Sequence, residues 1–254
     1  MKVVWAIASL TFKEAIRNKI LYLLLCFSIV LTAFSWIIGQ LTIGDELKII
    51  NDVSLGSIHF FGVLITILIG IGLVFREMEK RTVYLVLSKP VDRYQFLLGK
   101  YVGLAVTLFC ILAVLGTVFY GILLLKHAAS SRFLIVFYTT YLEWLLIAAV
   151  ALLFSSFSTP LLSTMLTLAI FFAGHLTQSL LLLERRITSE AANLVLSALY
   201  YVLPNLEVFN VRAKVVNELP IAAHYLMETT AYWSFYCGVL ILSAIVIFQK
   251  KDFV

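Results

Sequence analysis

Charge is scarce in this 254-residue chain: Asp, Glu, Lys and Arg make up 13% of it, hydrophobic residues 62%, and the mean hydropathy is +1.03. A water-soluble globule cannot hide that much apolar surface, so the soluble classes are excluded. Cysteine is scarce too. Cys26, Cys110 and Cys237 each fall inside apolar runs with no CxxC pair and no ligand-like neighbour, which excludes a disulfide framework and gives no reason to expect a metal. Catalytic signatures are missing as well. There is no GxxxxGK[ST], HExxH or GxSxG, and the one Gly-Lys pair, Gly99-Lys100, is followed by Tyr101 and lacks the preceding glycine of a phosphate-binding nest. The chain is therefore expected to be no enzyme and to bind no cofactor or metal of its own. Its net charge of +5 does not call for nucleic acid, because the cations sit in short clusters beside apolar spans, where lipid head groups and topology account for them.

What the chain does have is apolar runs of about 20 to 25 residues, enough to cross ~30 Å of hydrocarbon at a helical rise of 1.5 Å. Six such spans are expected, at about 20–41, 53–75, 101–125, 133–154, 161–183 and 229–248, in a single all-α integral membrane domain covering 1–254. Residues 2–19 look like a signal peptide at first, but Lys13, Glu14, Arg17 and Lys19 interrupt the apolar run and no small-residue cleavage site follows. At helical spacing Trp5, Ala8, Phe12 and Ile16 form one stripe and Ser9, Lys13 and Arg17 another, the pattern of an interfacial amphipathic helix with its basic face to water.

The connections carry the rest of the plan. Gly44-Asp45-Glu46 is expected to open an acidic connection that also holds Lys48 and Asp52. The six-residue turn SSFSTP, Ser155 to Pro160, makes the fourth and fifth spans antiparallel neighbours. Between 184 and 228 an outer loop keeps a helical stripe through Ile187, Ala191, Leu194, Val195, Ala198, Leu199 and Val202, ending near Pro204-Asn205, and is expected to lie across the outer mouth. With both termini cytoplasmic, the inner segments carry 12 Lys and Arg against 7 outside, the orientation the positive-inside preference selects. Glycines at 62, 70 and 72 permit close helix contact in the second span, and Gly99 and Gly103 form a GxxxG pair where the third span begins.

Residues 76–100 form a polar island with six cations (Arg76, Lys80, Arg81, Lys89, Arg93, Lys100) and three anions (Glu77, Glu79, Asp92). The second span is expected to run on as helix past Phe75, through good helix formers with Glu77 and Arg81 one turn apart. Ser88-Lys89-Pro90 must break any helix there. Asp92 then reads as the N-cap of a short amphipathic helix from Arg93 to about Leu98, with Tyr94, Leu97 and Leu98 on one side.

The run from Glu77 to Lys100 resembles the intracellular loop of type 2 ATP-binding-cassette (ABC) exporter permeases. The matching elements are Glu77 and Glu79, Thr82, the apolar Val83 to Val86, Leu87 to Arg93 as a Leu-Ser-x-Pro-Val-x-Arg run, and Gly99-Lys100 before the third span. LPNLEVFNVR, Leu203 to Arg212, resembles the permeases grouped with the one that serves nitrous oxide reductase maturation, from which no substrate is inferred. The resemblance implies a homodimer, or a pair with a similar permease, in a prokaryotic plasma or inner membrane, joined to separate cytosolic ABC ATPases that carry the ATP and Mg. It also implies a coupling helix docked on the ATPase, with Glu77, Thr82, Lys89, Pro90, Asp92, Arg93, Tyr94, Leu97, Gly99 and Lys100 as coupling residues.

Two ionisable residues lie deep in the spans. Glu143 is 12 residues before Ser155 and His175 is 15 after Pro160, about 18 and 22 Å of helical rise, so the two sit at similar depth and could pair or line a transport path. Two other classes of function remain open on the residues alone. One is a proton-coupled secondary transporter using Glu143 and His175, and the other is a membrane scaffold that recruits a cytosolic partner through the island.

Overall fold

A computed structural model describes residues 2–42, 44–79, 92–177 and 203–250. Among them helix is the only regular secondary structure: α1 (Lys2–Ile16), α2 (Lys19–Gln40), α3 (Glu46–Glu79), α4 (Arg93–Leu125), α5 (Phe133–Phe157), α6 (Pro160–His175), a 3-10 turn (Leu206–Phe209), α7 (Arg212–Val216) and α8 (Ala223–Lys250). Five of these, α2, α3, α4, α5 and α8, are long and apolar enough to cross a membrane, and α6 is a shorter apolar helix. The chain is an all-α, multi-pass membrane protein.

Helix α5 is the axis. It is apolar around its whole circumference, the pattern of a helix with no solvent-facing side, and its residues from Leu142 to Leu152 are all buried. Helices α3, α4, α6 and α8 pack around it. The approach of α3 is close because Gly62 has no side chain: a Cβ there would lie 1.7 Å from Cζ2 of the fully buried Trp144. Between α2 and α3, hydroxyls act as the glue that lipid cannot supply. Thr32 Oγ1 meets Ser57 Oγ at 3.0 Å and Ser35 Oγ meets Ser54 Oγ at 2.8 Å, each pair worth about 0.6 kcal/mol in a bilayer setting.

Several elements differ from the sequence expectation, each for a local reason. Helix α3 begins at Glu46 and not near Val53, since Glu46-Leu47-Lys48-Ile49 are good helix formers and the apolar window that defines a span ignores polar first turns. Glu46 is held there by Lys126, at the start of the connection to α5. The expected short helix at Arg93 to Leu98 has no break after it, and α4 runs unbroken from Arg93 to Leu125. Asp92 occupies the N-cap position in extended conformation, but its side chain makes no capping hydrogen bond; its carbonyl accepts from Gln95 and Phe96.

Helix α1 packs lengthwise on α4. Its buried face is Ala8, Thr11 and Ala15, while Trp5 and Ile16, placed by pattern on the apolar stripe, are exposed. Lys13 and Arg17 are exposed as expected.

From Pro204 onward the outer loop is partly built into the bundle, with Ala213, Lys214 and residues 217–220 exposed. Leu206, Phe209, Val211 and Val215 are buried in the main apolar core. Their polar neighbours satisfy one another: Asn205 Oδ1 accepts from Glu207 N, Asn210 Nδ2 donates to Glu207 Oε1 at 2.9 Å, and Arg212 Nε donates to Asn210 Oδ1 at 3.1 Å. Thr82, Lys89, Pro90, the loop stripe from Ile187 to Val202 and the end of the fifth span after Thr177 lie outside the described residues.

Candidate functional site

The deepest polar cluster joins three helices. Glu143 on α5 is 1% exposed, and both of its carboxylate oxygens lie 2.9 Å from His59 Nε2 on α3. His175 Nε2, at the end of α6, lies 3.4 Å from Glu143 Oε1. Glu143 and His175, which the count along the spans put at similar depth, lie side by side, with a third member that the sequence reading missed. His59 is 16 residues from Phe75, about 24 Å of rise, so the same depth count would have found it.

The chemistry of the cluster is constrained by what each atom faces. His175 Nδ1 lies 3.1 Å from the carbonyl oxygen of Phe171, an atom that can only accept, so Nδ1 carries a hydrogen. Its Nε2 is buried and makes no hydrogen bond, although it faces a carboxylate. The Phe171 ring packs on His175 with centroids 4.7 Å apart, and the two imidazoles meet edge to face at 5.8 Å. Taking a carboxylate out of water is costly unless polar partners surround it, and two imidazoles are what this fold supplies.

The end of the molecule that carries Asp92 is a second site, built by helix-to-helix contacts. Arg93 Nη1 donates to the carbonyls of Phe248 and Gln249, at 3.1 and 2.9 Å, and so caps the last turn of α8. Phe96 stacks on Phe248 with centroids 5.9 Å apart, and Leu97 is buried in the same cluster. Gly99 and Gly103 seat α1: a Cβ at 99 would lie 2.7 Å from Ile7 Cβ, and one at 103 would lie 2.6 Å from the carbonyl oxygen of Ala8. Lys100, 2% exposed, reaches Glu14 at 3.4 Å and lies over the Phe96 ring. Of the residues on this stretch with coupling roles by resemblance, Asp92 and Tyr94 face outward, Arg93 is half-buried, and Leu97, Gly99 and Lys100 are turned inward. Glu77 falls in the last turn of α3.

A bundle of long apolar helices around a buried His-Glu-His cluster has the make-up of a multi-pass membrane domain with ionisable groups at its centre. The family model described as ABC-2 family transporter protein matches residues 5–253, and the chain belongs to that family. It is thus a transmembrane permease component of an ABC transporter. No curated protein matches the chain.

Proposed function

We propose that the chain is the membrane-spanning subunit of an ATP-driven exporter, working as a homodimer or with a similar permease and served by a separate cytosolic ABC ATPase. The family match over nearly the whole chain carries this reading. Both termini are cytoplasmic in it, in a prokaryotic plasma or inner membrane, consistent with 12 Lys and Arg on that side against 7 on the other. The nitrous oxide reductase maturation group remains a resemblance of LPNLEVFNVR, whose apolar residues have a packing role in the core.

The ATPase docks at the end of α3 and α4 that holds the island. On the described part of that surface the contact falls to Tyr94, 42% exposed, and to Asp92. An aromatic beside a charge suits a protein interface. Arg93, Leu97, Gly99 and Lys100 contribute from behind, by tying α4 to α8 and α1, so that force received at Tyr94 is passed on through packed helices. The family places the chain with ATP-driven permeases, which favours this reading over a proton-coupled secondary transporter or a scaffold.

Co-purification tests it. The protein expressed together with its neighbouring genes is expected to retain an ABC ATPase subunit, and Tyr94→Ala with Asp92→Arg is expected to lose it while remaining monodisperse and membrane-inserted. Retention of the ATPase by the double variant would overturn the docking site.

A further inference from the structure

We infer that His59, Glu143 and His175 form a binding site for a divalent transition-metal ion inside the membrane domain. The inference goes beyond the proposed function and does not depend on where the ATPase docks. Cysteine and ligand spacing give no hint of it, because the three donors come from three helices and are 84 and 32 residues apart along the chain.

One ligand atom from each residue lies within 4.8 Å of the others, and the measured approaches to the carboxylate are 2.9 and 3.4 Å. Bonds of about 2.0 to 2.2 Å to a tetrahedral ion place neighbouring donors about 3.3 to 3.5 Å apart, within about half an ångström of the two approaches to the carboxylate, while the third spacing is bounded by the 4.8 Å that encloses the donors. Two imidazoles and one carboxylate suit zinc and its first-row neighbours and suit magnesium or calcium poorly.

The orientation of His175 is the observation that points to a cation. Its Nδ1–H is committed to the Phe171 carbonyl, which aims the Nε2 side of the ring at Glu143. A histidine that ligates through one nitrogen and donates from the other to a backbone carbonyl is the usual arrangement around a metal. Its Nε2 is buried without a hydrogen-bond partner although it lies 3.4 Å from Glu143 Oε1, and a cation held between the two atoms would give both a partner. On the other side His59 Nε2 lies 2.9 Å from both carboxylate oxygens, so an ion held by His175 and Glu143 has a third donor within reach.

The surroundings hold the donors still and leave a way in. Gly62, one turn from His59, lets Trp144, next to Glu143, lock α3 against α5. Beside His175, Gly174 is packed under Pro204 and Leu206, which would lie 2.7 Å from a Cβ there. The side chains of His59 and Glu143 are 9% and 2% exposed and that of His175 is 21% exposed, so an ion enters from the His175 side. Three protein donors leave a coordination position open on that side.

The test uses tag-free, full-length protein in lipid nanodiscs, stripped with chelator, loaded with Zn²⁺ or Co²⁺ and passed through gel filtration. About one ion per chain is expected by elemental analysis, with Co²⁺ giving the visible absorption of a four-coordinate site. His59→Ala, His175→Ala and Glu143→Gln are each expected to weaken binding by more than about tenfold, and excess Mg²⁺ is expected not to compete. His175→Ala, at a helix end and partly exposed, keeps the experiment decisive if Glu143→Gln fails to fold. Absence of stoichiometric metal on the folded wild-type protein overturns the inference. So does binding that is unchanged in folded His59→Ala and His175→Ala proteins, which would place the ion elsewhere.

Discussion

At the scale of single residues, two positions decide whether the centre of the bundle holds. Gly62 leaves no room for any side chain: the 1.7 Å that would separate its Cβ from Trp144 cannot be relieved without moving a fully buried indole. Gly62→Ala is expected to cost about 1 to 3 kcal/mol, read as a lower midpoint of thermal unfolding in detergent, and to loosen the His59–Glu143 contact one turn away. An unchanged midpoint would mean that α3 and α5 do not meet as described. Glu143 makes a different prediction. Glu143→Gln removes the charge and keeps the shape, so the variant is expected to insert normally and to transport less. Membrane fractionation and complementation of a deletion strain separate the two effects, and full complementation by inserted protein would remove Glu143 from the transport path.

Elements tell how much of this was legible. Apolar length located the helices, since the requirement to satisfy every backbone group in lipid leaves helix as the one local solution for such runs. The starts of α3 and α4 were not legible, because a helix runs as far as its hydrogen bonds do. The polar first turns Glu46 to Asp52 and Arg93 to Lys100 thus belong to α3 and α4 even though the apolar runs start at about 53 and 101. The GxxxG pair at Gly99 and Gly103 was visible, but its partner was not, since that is α1, almost a hundred residues away. Gly103→Leu is expected to prise α1 off α4 and expose Lys2–Ile16 to limited proteolysis. Arg93→Ala, which deletes the cap of α8, is expected to speed amide exchange at residues 245–249 with little change in the middle of the bundle.

For the whole molecule, depth along the spans was enough to bring Glu143 and His175 to one level, but helix rotation, which decides contact, is set by packing that no single stretch encodes. His59 shows the gap. Its depth was readable, and its direction came only with Gly62 and Trp144. Orientation in the membrane can be tested directly. In a background lacking Cys26, Cys110 and Cys237, Tyr94→Cys is expected to react with an impermeant thiol reagent only from the cytoplasmic side and Glu218→Cys only from the other. Labelling of both from one side would reverse or collapse the proposed topology.

The unbroken run of α4 changes how a push at Tyr94 is felt. A 33-residue helix is about 50 Å long, well beyond the hydrocarbon thickness, and α4 runs without a break from its first turn to its far end. Tilting such a rod by about three degrees about its midpoint swings each end sideways by about 1.3 Å, in opposite directions. At one end that stroke drags α1 and the end of α8. At the other it shifts Lys126 against Glu46, so that movement at one end of α4 reaches the other without the helix bending.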